Sequence, residues 1–327
     1  MRKFDGGWDM TSILLGAAGT GTSFAIASRI RAVWGDEVRI VSVDINPAEL
    51  VTTSLLSDAF VQVPLASSPE YENSIRSILS SEDIDVYVPI LNEEHLVAPK
   101  ILGDLAFGNL DVWSSELYAK CTDKGFAERF LNSIGVPTPK IIDPLRSKSD
   151  RACFIKPRNG FGSNGAYKTS VDELVKRTTS ELESLIVQEV CEGPEVTVDS
   201  FYDAQAGVSF AYCRERIETK SGVCTKARVF LDPELAEIAR KIGKGLQQRG
   251  TICFQAMKGE DGWVITDLNV RSGAGTAITC SAGFDVLAAA FACRTGQDYS
   301  RFVRQIDENE EFIVTRQYAE FVMAHRR

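Results

Sequence analysis

Histidine is nearly absent from this sequence of 327 residues, which contains only His95 and His325. A histidine-based zinc site or a Ser-His-Asp triad would need one of them beside other catalytic side chains. Neither lies near a motif, so the sequence disfavours both kinds of chemistry. The eight cysteines are scattered singly, without a CxxC pair. We therefore expect reduced, mostly buried thiols.

Long hydrophobic runs are also missing. The longest, 286–293, is too short to cross a bilayer, and the first apolar stretch is broken by glycines, unlike the core of a signal peptide. An excess of positive charge is absent too, since the net charge is −9, which disfavours a general affinity for nucleic acid. The sequence thus predicts a cytoplasmic protein with neither a membrane nor a nucleic-acid partner, although a local basic pocket for a small phosphorylated ligand is allowed.

The first third of the chain alternates between short apolar runs and amphipathic stretches. The runs predict strands and the stretches predict helices, an alternation typical of a parallel sheet with right-handed crossovers. We therefore expect a Rossmann-like domain up to about residue 112. Its strands are predicted at 12–15, 38–43, 59–63 and 85–90, and its helices at 20–33, 70–79 and 92–105.

The rest of the chain follows a different pattern. A helix is predicted at 122–134, with Thr122 or Asp123 as its N-cap. Longer strands and a hairpin turn at 260–262 indicate an antiparallel sheet towards the C-terminus. The other predicted strands are 152–156, 185–189, 194–204, 207–214, 251–257 and 262–268, and the other predicted helices are 171–182, 233–249 and 285–294.

Two glycine-rich loops are candidates for binding phosphate. The first, Gly16–Gly21, lies between a strand and a helix, with Asp44 at the end of the next strand, as in dinucleotide-binding folds. Its spacing is GxxGxG rather than GxGxxG, so a tight turn without a ligand is an open alternative. A nicotinamide-dependent enzyme would also use these residues.

The second loop follows Lys156 at the end of a predicted strand and contains Gly160, Gly162, Ser163 and Gly165. A lysine ammonium and mobile backbone amides in this order suit a polyphosphate. The GxxxxGK[ST] pattern of a Walker loop does not occur. A plain hairpin loop is the alternative interpretation.

Oxygen-bearing side chains are concentrated near the end of the predicted antiparallel sheet. Asp267 and Asn269 are two residues apart in a strand and so share a face, and Gln255 lies on the preceding strand. Such ligands suit Mg²⁺, with Mn²⁺ as an alternative, together with phosphate oxygens. Arg271 on the same face would meet phosphate. A solvated strand face is the alternative.

Four segments in this order resemble the ATP-grasp superfamily, in particular the carbamoyl-phosphate-synthase-like branch of carboxylate–amine ligases. They are Cys121–Pro139, Ile155–Arg158 with its loop, Val187–Asp199 and Asp267–Gly275. The resemblance implies a fold that is α/β and α+β, with a two-lobed ATP-grasp unit behind the Rossmann-like domain. The implied domains are a pre-ATP-grasp domain at 1–112, a small lobe with a glycine-rich lid loop at 113–190, and a large lobe with an antiparallel sheet and the metal site at 191–327.

The resemblance also implies roles for individual residues. Those implied to bind the phosphates of ATP are Lys124, Lys156, Gly160, Gly162 and Ser163. A hinge that reads adenine is implied at Gln188, Glu189, Val190 and Cys191, with Glu195 on the ribose. The implied metal ligands are Gln255, Asp267 and Asn269, although the family usually has glutamate at position 267.

Further implied roles concern catalysis and substrate binding. Arg271 and Lys226 are implied to act at the transferring phosphoryl group. Arg214 and Arg216, which share a strand face, would bind a substrate carboxylate if they face inwards and are surface charges if they face outwards. The backbone at Ser272 and Gly273 would lie near the substrate.

The implied activity is ATP-dependent ligation of a small carboxylate to an amine through an acyl phosphate, with release of ADP and phosphate. No protein nucleophile is needed, which agrees with the scarcity of histidine. One alternative is an enzyme of the same fold that phosphorylates carbamate or bicarbonate, and another is a regulatory protein that binds nucleotide without turnover. A homodimer through the N-terminal domain is compatible with the sequence, which does not identify the acid or the amine.

Overall fold

The chain folds around three β-sheets in a computed structural model that describes residues 10–107, 110–147, 150–160, 164–220, 223–259, 262–305, 307–317 and 319–323. The N-terminal sheet is parallel, with the strand order β3-β2-β1-β4-β5. The strand order and the intervening helices confirm the predicted Rossmann-like fold. The strands are β1 (Thr11–Leu15), β2 (Val38–Asp44), β3 (Ala59–Gln62), β4 (Val86–Val88) and β5 (Asp111–Val112), and the helices are α1 (Gly21–Trp34), α2 (Tyr71–Ser81) and α3 (Asn92–Leu102).

The first glycine loop connects β1 to α1. Thr20 caps the helix by accepting a hydrogen bond from the amide of Ser23 at 3.2 Å. The Asp44 carboxylate accepts a hydrogen bond from the amide of Gly19 at 2.7 Å. Asp44 therefore holds this loop in place, and nothing in the geometry requires a nucleotide there.

Two helices connect the first domain to the second sheet: α4 (Glu116–Cys121) and α5 (Lys124–Ser133). The sequence predicts α5 and misses α4. Asp123, one of the two predicted caps, accepts from the amide of Phe126 at 2.8 Å. Apolar residues of both helices pack against the third sheet rather than the second.

The second sheet belongs to the small lobe and has the antiparallel order β7-β6-β8. The single helix predicted at 171–182 is wrong, because the first helix ends at Leu174 and Thr178 caps a second one. Its hydroxyl accepts from the Glu181 amide while the Glu181 carboxylate accepts from the Thr178 amide, a capping box inside the predicted span. The elements are β6 (Ala152–Pro157), β7 (Tyr167–Ser170), α6 (Val171–Leu174), α7 (Thr179–Glu183) and β8 (Leu185–Gln188).

The third sheet belongs to the large lobe and is antiparallel throughout, in the order β13-β12-β9-β10-β11-β14. Positions 260 and 261 of the predicted hairpin turn lie outside the described residues. The strands are β9 (Glu195–Asp203), β10 (Val208–Lys220), β11 (Val223–Phe230), β12 (Arg249–Gly259), β13 (Gly262–Asn269) and β14 (Glu311–Thr315), and the helices are α8 (Pro233–Gly245), α9 (Thr276–Ser281) and α10 (Val286–Arg294).

Helix α10 joins the N-terminal domain to the large lobe. It contains the longest apolar run of the chain, which is buried between α1 and the large sheet. The rings of Trp34 and Phe291 lie 4.6 Å apart, and Arg29 Nε donates to Asp285 at 2.7 Å. The run is therefore a core helix, and among the described residues no helix has the length and apolar character needed to cross a membrane.

The small lobe has a core of its own, formed by residues between 142 and 187. The first domain and the large lobe, by contrast, share one apolar cluster. The predicted boundary at residue 113 stays a prediction, since α4 and α5 pack with the large lobe.

Candidate ATP-grasp site

Lys156 connects the small lobe to the large lobe. It lies near the end of β6, and its Nζ donates to the backbone carbonyl of Thr266 on β13 at 2.5 Å. Burial lowers the pKa of Lys156; the charge of Asp267 opposes this effect and the charge of Lys124 adds to it. The two lysines predicted to bind phosphate therefore lie close to each other and to a predicted metal ligand.

Lys124 holds the second glycine loop. Its Nζ donates to the carbonyl of Gly160 at 2.7 Å, and its amide donates to the carbonyl of Arg158 at 3.0 Å. Arg158 in turn forms an ion pair with the helix cap Asp123 at 3.1 Å. The loop thus begins next to both lysines, while Gly162 and Ser163 lie outside the described residues.

The predicted metal ligands come together as expected from the strand period. Gln255 and Asp267 are direct neighbours across β12 and β13, and Asn269 Nδ2 donates to Asp267 Oδ2 at 3.0 Å. Within the described ranges, no group of three or more His, Cys, Asp or Glu side chains is arranged to hold a metal by itself. The site therefore offers one carboxylate and two amides, and a bound cation would need additional oxygens from a ligand.

The predicted hinge follows β8. Gln188 is buried, and the Glu189 carboxylate and amide both bond to the backbone of Lys140, at 3.0 and 2.9 Å. Burial raises the pKa of the Cys191 thiol, the charge of Glu189 adds to this, and the charge of Lys156 opposes it, so this segment passes close to the lysine. A Cβ on Gly193 would lie only 1.9 Å from the carbonyl oxygen of Lys258, so no other residue fits there.

Arg214 and Arg216 share one face of β10, as predicted, but their surroundings differ. Arg214 is 3% exposed, and its Nε bonds to Asp199 on β9 at 3.2 Å. Arg216 is partly exposed and forms an ion pair with Glu195, the residue predicted to bind ribose. Their predicted roles towards a substrate stay predictions.

Sequence reasoning missed the buried network around Asp199. This carboxylate is fully buried and also accepts hydrogen bonds from the hydroxyls of Thr276 at 2.7 Å and Thr279 at 2.5 Å. A Cβ on Gly275 would lie 2.4 Å from Nη1 of Arg214. Asp199 and Arg214 therefore position the 272–275 segment, which contains the predicted substrate-binding backbone. In the sequence, Asp199 is one acidic residue within a predicted strand. Nothing in the neighbouring residues predicts that it is buried or which side chains it contacts.

Arg271 faces the N-terminal domain. Its Nη1 donates to the carbonyl of Ser272 at 3.1 Å, and its charge acts on His95 of α3. Lys226, the other predicted catalytic residue, is half-exposed on β11 and forms an ion pair with Glu218 at 3.0 Å. Among the described contacts, Lys226 pairs with Glu218 and not with the predicted metal ligands. Its catalytic role stays a prediction.

The cysteine and histidine environments match the expectation of non-catalytic residues. Seven of the eight cysteines are buried and all eight are free, as predicted. His95 is buried, and its Nδ1 lies 2.9 Å from the hydroxyl of Ser114. Burial lowers the pKa of His95 to about 3, and the charge of Arg271 adds to this effect.

The His95 environment leads to a prediction about pH. An unfolded histidine has a pKa of about 6.5, so between pH 6.5 and 3 the unfolded chain binds a proton that the folded chain does not. This difference lowers the free energy of unfolding by about 1.4 kcal/mol per pH unit as the pH falls. The variant His95→Gln should lack this contribution. Urea unfolding at pH 7, 6 and 5 measures it, and parallel pH profiles for the two proteins would contradict the prediction.

Comparisons with known proteins agree with the resemblance found in the sequence. Residues 121–275 match the family model described as an ATP-grasp domain. The chain is 25% identical over 264 residues to 3-methyl-D-ornithine–L-lysine ligase of Methanosarcina acetivorans, covering 78% of this chain and 67% of that protein.

Solved structures show the same fold. The chain is similar to pyruvate carboxylase of Rhizobium etli with a TM-score of 0.71 and 14% identity, covering 94% of this chain and 30% of that one. It is similar to L-amino acid ligase of Bacillus licheniformis with a TM-score of 0.68 and 12% identity, covering 89% of this chain and 78% of that one. The resemblance found in the sequence is therefore confirmed for residues 121–275, which match an ATP-grasp domain, and the proteins that the chain resembles include 3-methyl-D-ornithine–L-lysine ligase and L-amino acid ligase.

Proposed function

We propose that the protein uses ATP to convert a small carboxylate into an acyl phosphate and then joins the acyl group to an amine, with release of ADP and phosphate. The observation that carries this proposal is the contact of Lys156 with Thr266, because it brings a lysine predicted to bind phosphate next to the predicted metal ligands on β12 and β13. The similar ligases are named after amino acids, so amino acids are the first substrates to test.

The proposed reaction requires positioning and charge neutralisation more than covalent help from the protein. A carboxylate is a poor electrophile until a phosphoryl group gives it a leaving group. Lys124 and Lys156 would neutralise the phosphate tail, and Arg271 would neutralise charge on the phosphoryl group as it transfers. Backbone groups of 188–191 would bind the adenine, and Glu195 would accept bonds from the ribose after releasing Arg216.

The donors at 255, 267 and 269 fit a magnesium ion that is shared with ATP. Mg²⁺ in nucleotide sites is typically bound by one or two carboxylates together with phosphate oxygens, and this site has one carboxylate and two side-chain amides. When bound, the ion would supply positive charge to the phosphate oxygens. Asp267 would hold it, and the amide of Asn269 would keep the Asp267 carboxylate oriented.

Removing this carboxylate should change the metal requirement. In Asp267→Asn, we expect the Mg²⁺ concentration for half-maximal ADP release to increase on the order of tenfold or more, because a neutral amide replaces the one charged ligand. A magnesium titration measures this. The matched control is Asp298→Asn, an exposed residue that bonds to Ser300, and it should leave the requirement unchanged. An identical magnesium curve for Asp267→Asn would remove this residue from the proposed site.

A screen of amino acids tests the function as a whole. The purified chain is incubated with MgATP and pairs of amino acids, and ADP release is followed together with the product mass. We expect ADP release that depends on both the acid and the amine and a product equal to their condensation. Release that depends on bicarbonate without an amine would favour the carbamate- or bicarbonate-phosphorylating alternative, and nucleotide binding without turnover would favour a regulatory protein. We place this activity in the cytoplasm, and sedimentation would show whether the chain forms a homodimer.

A further inference from the structure

A small cavity of about 30 Å³ lies between the N-terminal domain and the large lobe. Its walls come from both domains, with the end of β4 and residues of α1 and α3 on one side and residues around β12 and α10 on the other. The side chains in its lining that have polar atoms are His95, Trp113, Tyr118, Arg249, Thr251, Arg271, Ser272 and Arg294.

Several polar atoms around this cavity lack a partner. Among the described residues, seven buried side-chain nitrogen or oxygen atoms have no hydrogen bond, and four of the seven belong to this lining. They are Nε2 of His95, Nε1 of Trp113, Nε of Arg249 and Oγ1 of Thr251. Buried polar groups are nearly always satisfied, so four in one cavity indicate a polar occupant.

The charges around the cavity favour an anion. The described residues that line it include three arginines and no acidic residue. Arg294 is neutralised by Asp111 at 2.6 Å, whereas Arg249 and Arg271 donate to the backbone carbonyls of Cys293 and Ser272. The unpartnered atoms of Trp113 and Arg249 are obligatory donors, which suit an acceptor group.

The size and position of the cavity limit which ligands it can hold. A water molecule needs about 10–15 Å³ of cavity volume, so this cavity has room for about two water-sized groups. It is too small for a nucleotide. Residues 88–90 in its wall lie at the carboxyl end of β4, next to β1, where the strand order of the parallel sheet reverses. Ligands of such sheets bind outside the carboxyl ends of the strands at this point.

We propose that this cavity is a binding subsite for a carboxylate-type anion, either the carboxylate group of a substrate or free bicarbonate. The proposal rests on the proposed ligase function for its choice of ligand. Trp113 and Arg249 donate hydrogen bonds to the anion, Thr251 completes its coordination, and Arg271 connects the subsite to the place proposed for phosphoryl transfer.

Thermal unfolding of the full chain tests the subsite. Formate, acetate and bicarbonate are titrated against sodium chloride at equal ionic strength. Because a ligand that binds the folded state stabilises it, the melting temperature should rise with at least one of these anions and then saturate. If formate and acetate raise the melting temperature and bicarbonate does not, the ligand is the carboxylate group of a substrate. If bicarbonate alone raises it, the ligand is free bicarbonate.

The variants Trp113→Phe and Thr251→Val separate the cavity from other anion sites. Each should raise the anion concentration for half of the effect by on the order of tenfold. Without anion, Thr251→Val should melt at or above the wild-type temperature, because valine has nearly the same shape and removes a buried hydroxyl that lacks a partner. The control Trp263→Phe loses a bond to Asp232 in another part of the core, so it should melt earlier with an unchanged anion response.

Three results would overturn the proposal: no anion effect in the wild type, the same effect in both cavity variants, or a Thr251→Val variant that melts earlier because it has lost a bound water. MgATP added to the same samples keeps the two proposals apart. Stabilisation by MgATP without any anion effect would refute the subsite and leave the ligase proposal intact. An anion effect that depends on the cavity residues, without any stabilisation by MgATP, would support the subsite and contradict the ligase proposal.

Discussion

Replacing Lys156 with methionine should lower the rate of ADP release by about 10³-fold and leave the chain folded. Lys156 is the partly buried cation that reaches from the small lobe to β13, and removing one preorganised donor from a site of charge development typically costs 10²–10³ in rate. The fold should survive because burial disfavours the charged ammonium, and the flexible methionine side chain can fill the same space. A coupled assay of ADP release measures the rate, and circular dichroism checks the fold.

The matched control for this variant is Lys176→Met. Lys176 is exposed on the same lobe, next to Glu173, and the change should not affect the rate. If Lys156→Met folds and releases ADP at nearly the wild-type rate, the proposed nucleotide site is wrong. Equal loss in both variants would indicate a general effect of charge on the small lobe.

Replacing Asp199 with alanine should reduce the free energy of unfolding by about 3–5 kcal/mol. The change leaves the guanidinium of Arg214 buried without its carboxylate, and it removes the acceptor for the hydroxyls of Thr276 and Thr279. Both effects act at the same place, where the 272–275 segment meets β9 and β10. Urea unfolding measures the loss, with Glu237→Ala as a surface control that should lose at most about 1 kcal/mol.

A double variant tests whether the unpaired charge is the cause. In Asp199→Ala with Arg214→Met, the uncompensated cation is gone, so the double variant should be more stable than Asp199→Ala alone. If Asp199→Ala unfolds within about 0.5 kcal/mol of the wild type, the buried network contributes little. If the double variant is less stable than Asp199→Ala, the loss of stability is due to packing and not to the unpaired charge.

The parts of the structure that depend on neighbouring residues were accessible from the sequence. Helix α1 follows from local periodicity, and its observed bounds differ from the predicted ones by one residue at each end. The face shared by Asp267 and Asn269 follows from the strand period alone, and their hydrogen bond confirms it. The order of the four motifs then indicated which superfamily combines them.

Features that depend on distant residues were not accessible. Asp199 bonds to residues 77 and 80 positions further along the chain, and no local pattern marks such a contact. Strand β14 was missed because its pairing with β11 is decided by tertiary structure, since the segment itself alternates between exposed and partly buried residues. Position 178 shows the opposite failure, where a local capping box was present but the apolar pattern suggested one continuous helix.

The arrangement of the apolar cores decides which part of the molecule can move as a unit. Separating the N-terminal domain from the large lobe would expose the shared cluster around α10 and break the Arg29–Asp285 ion pair. The small lobe encloses its own apolar residues and loses few of them to solvent when it swings away. We therefore expect a nucleotide to be admitted by rotation of this lobe about the predicted hinge at 188–191, with the Lys156–Thr266 bond breaking as the cleft widens.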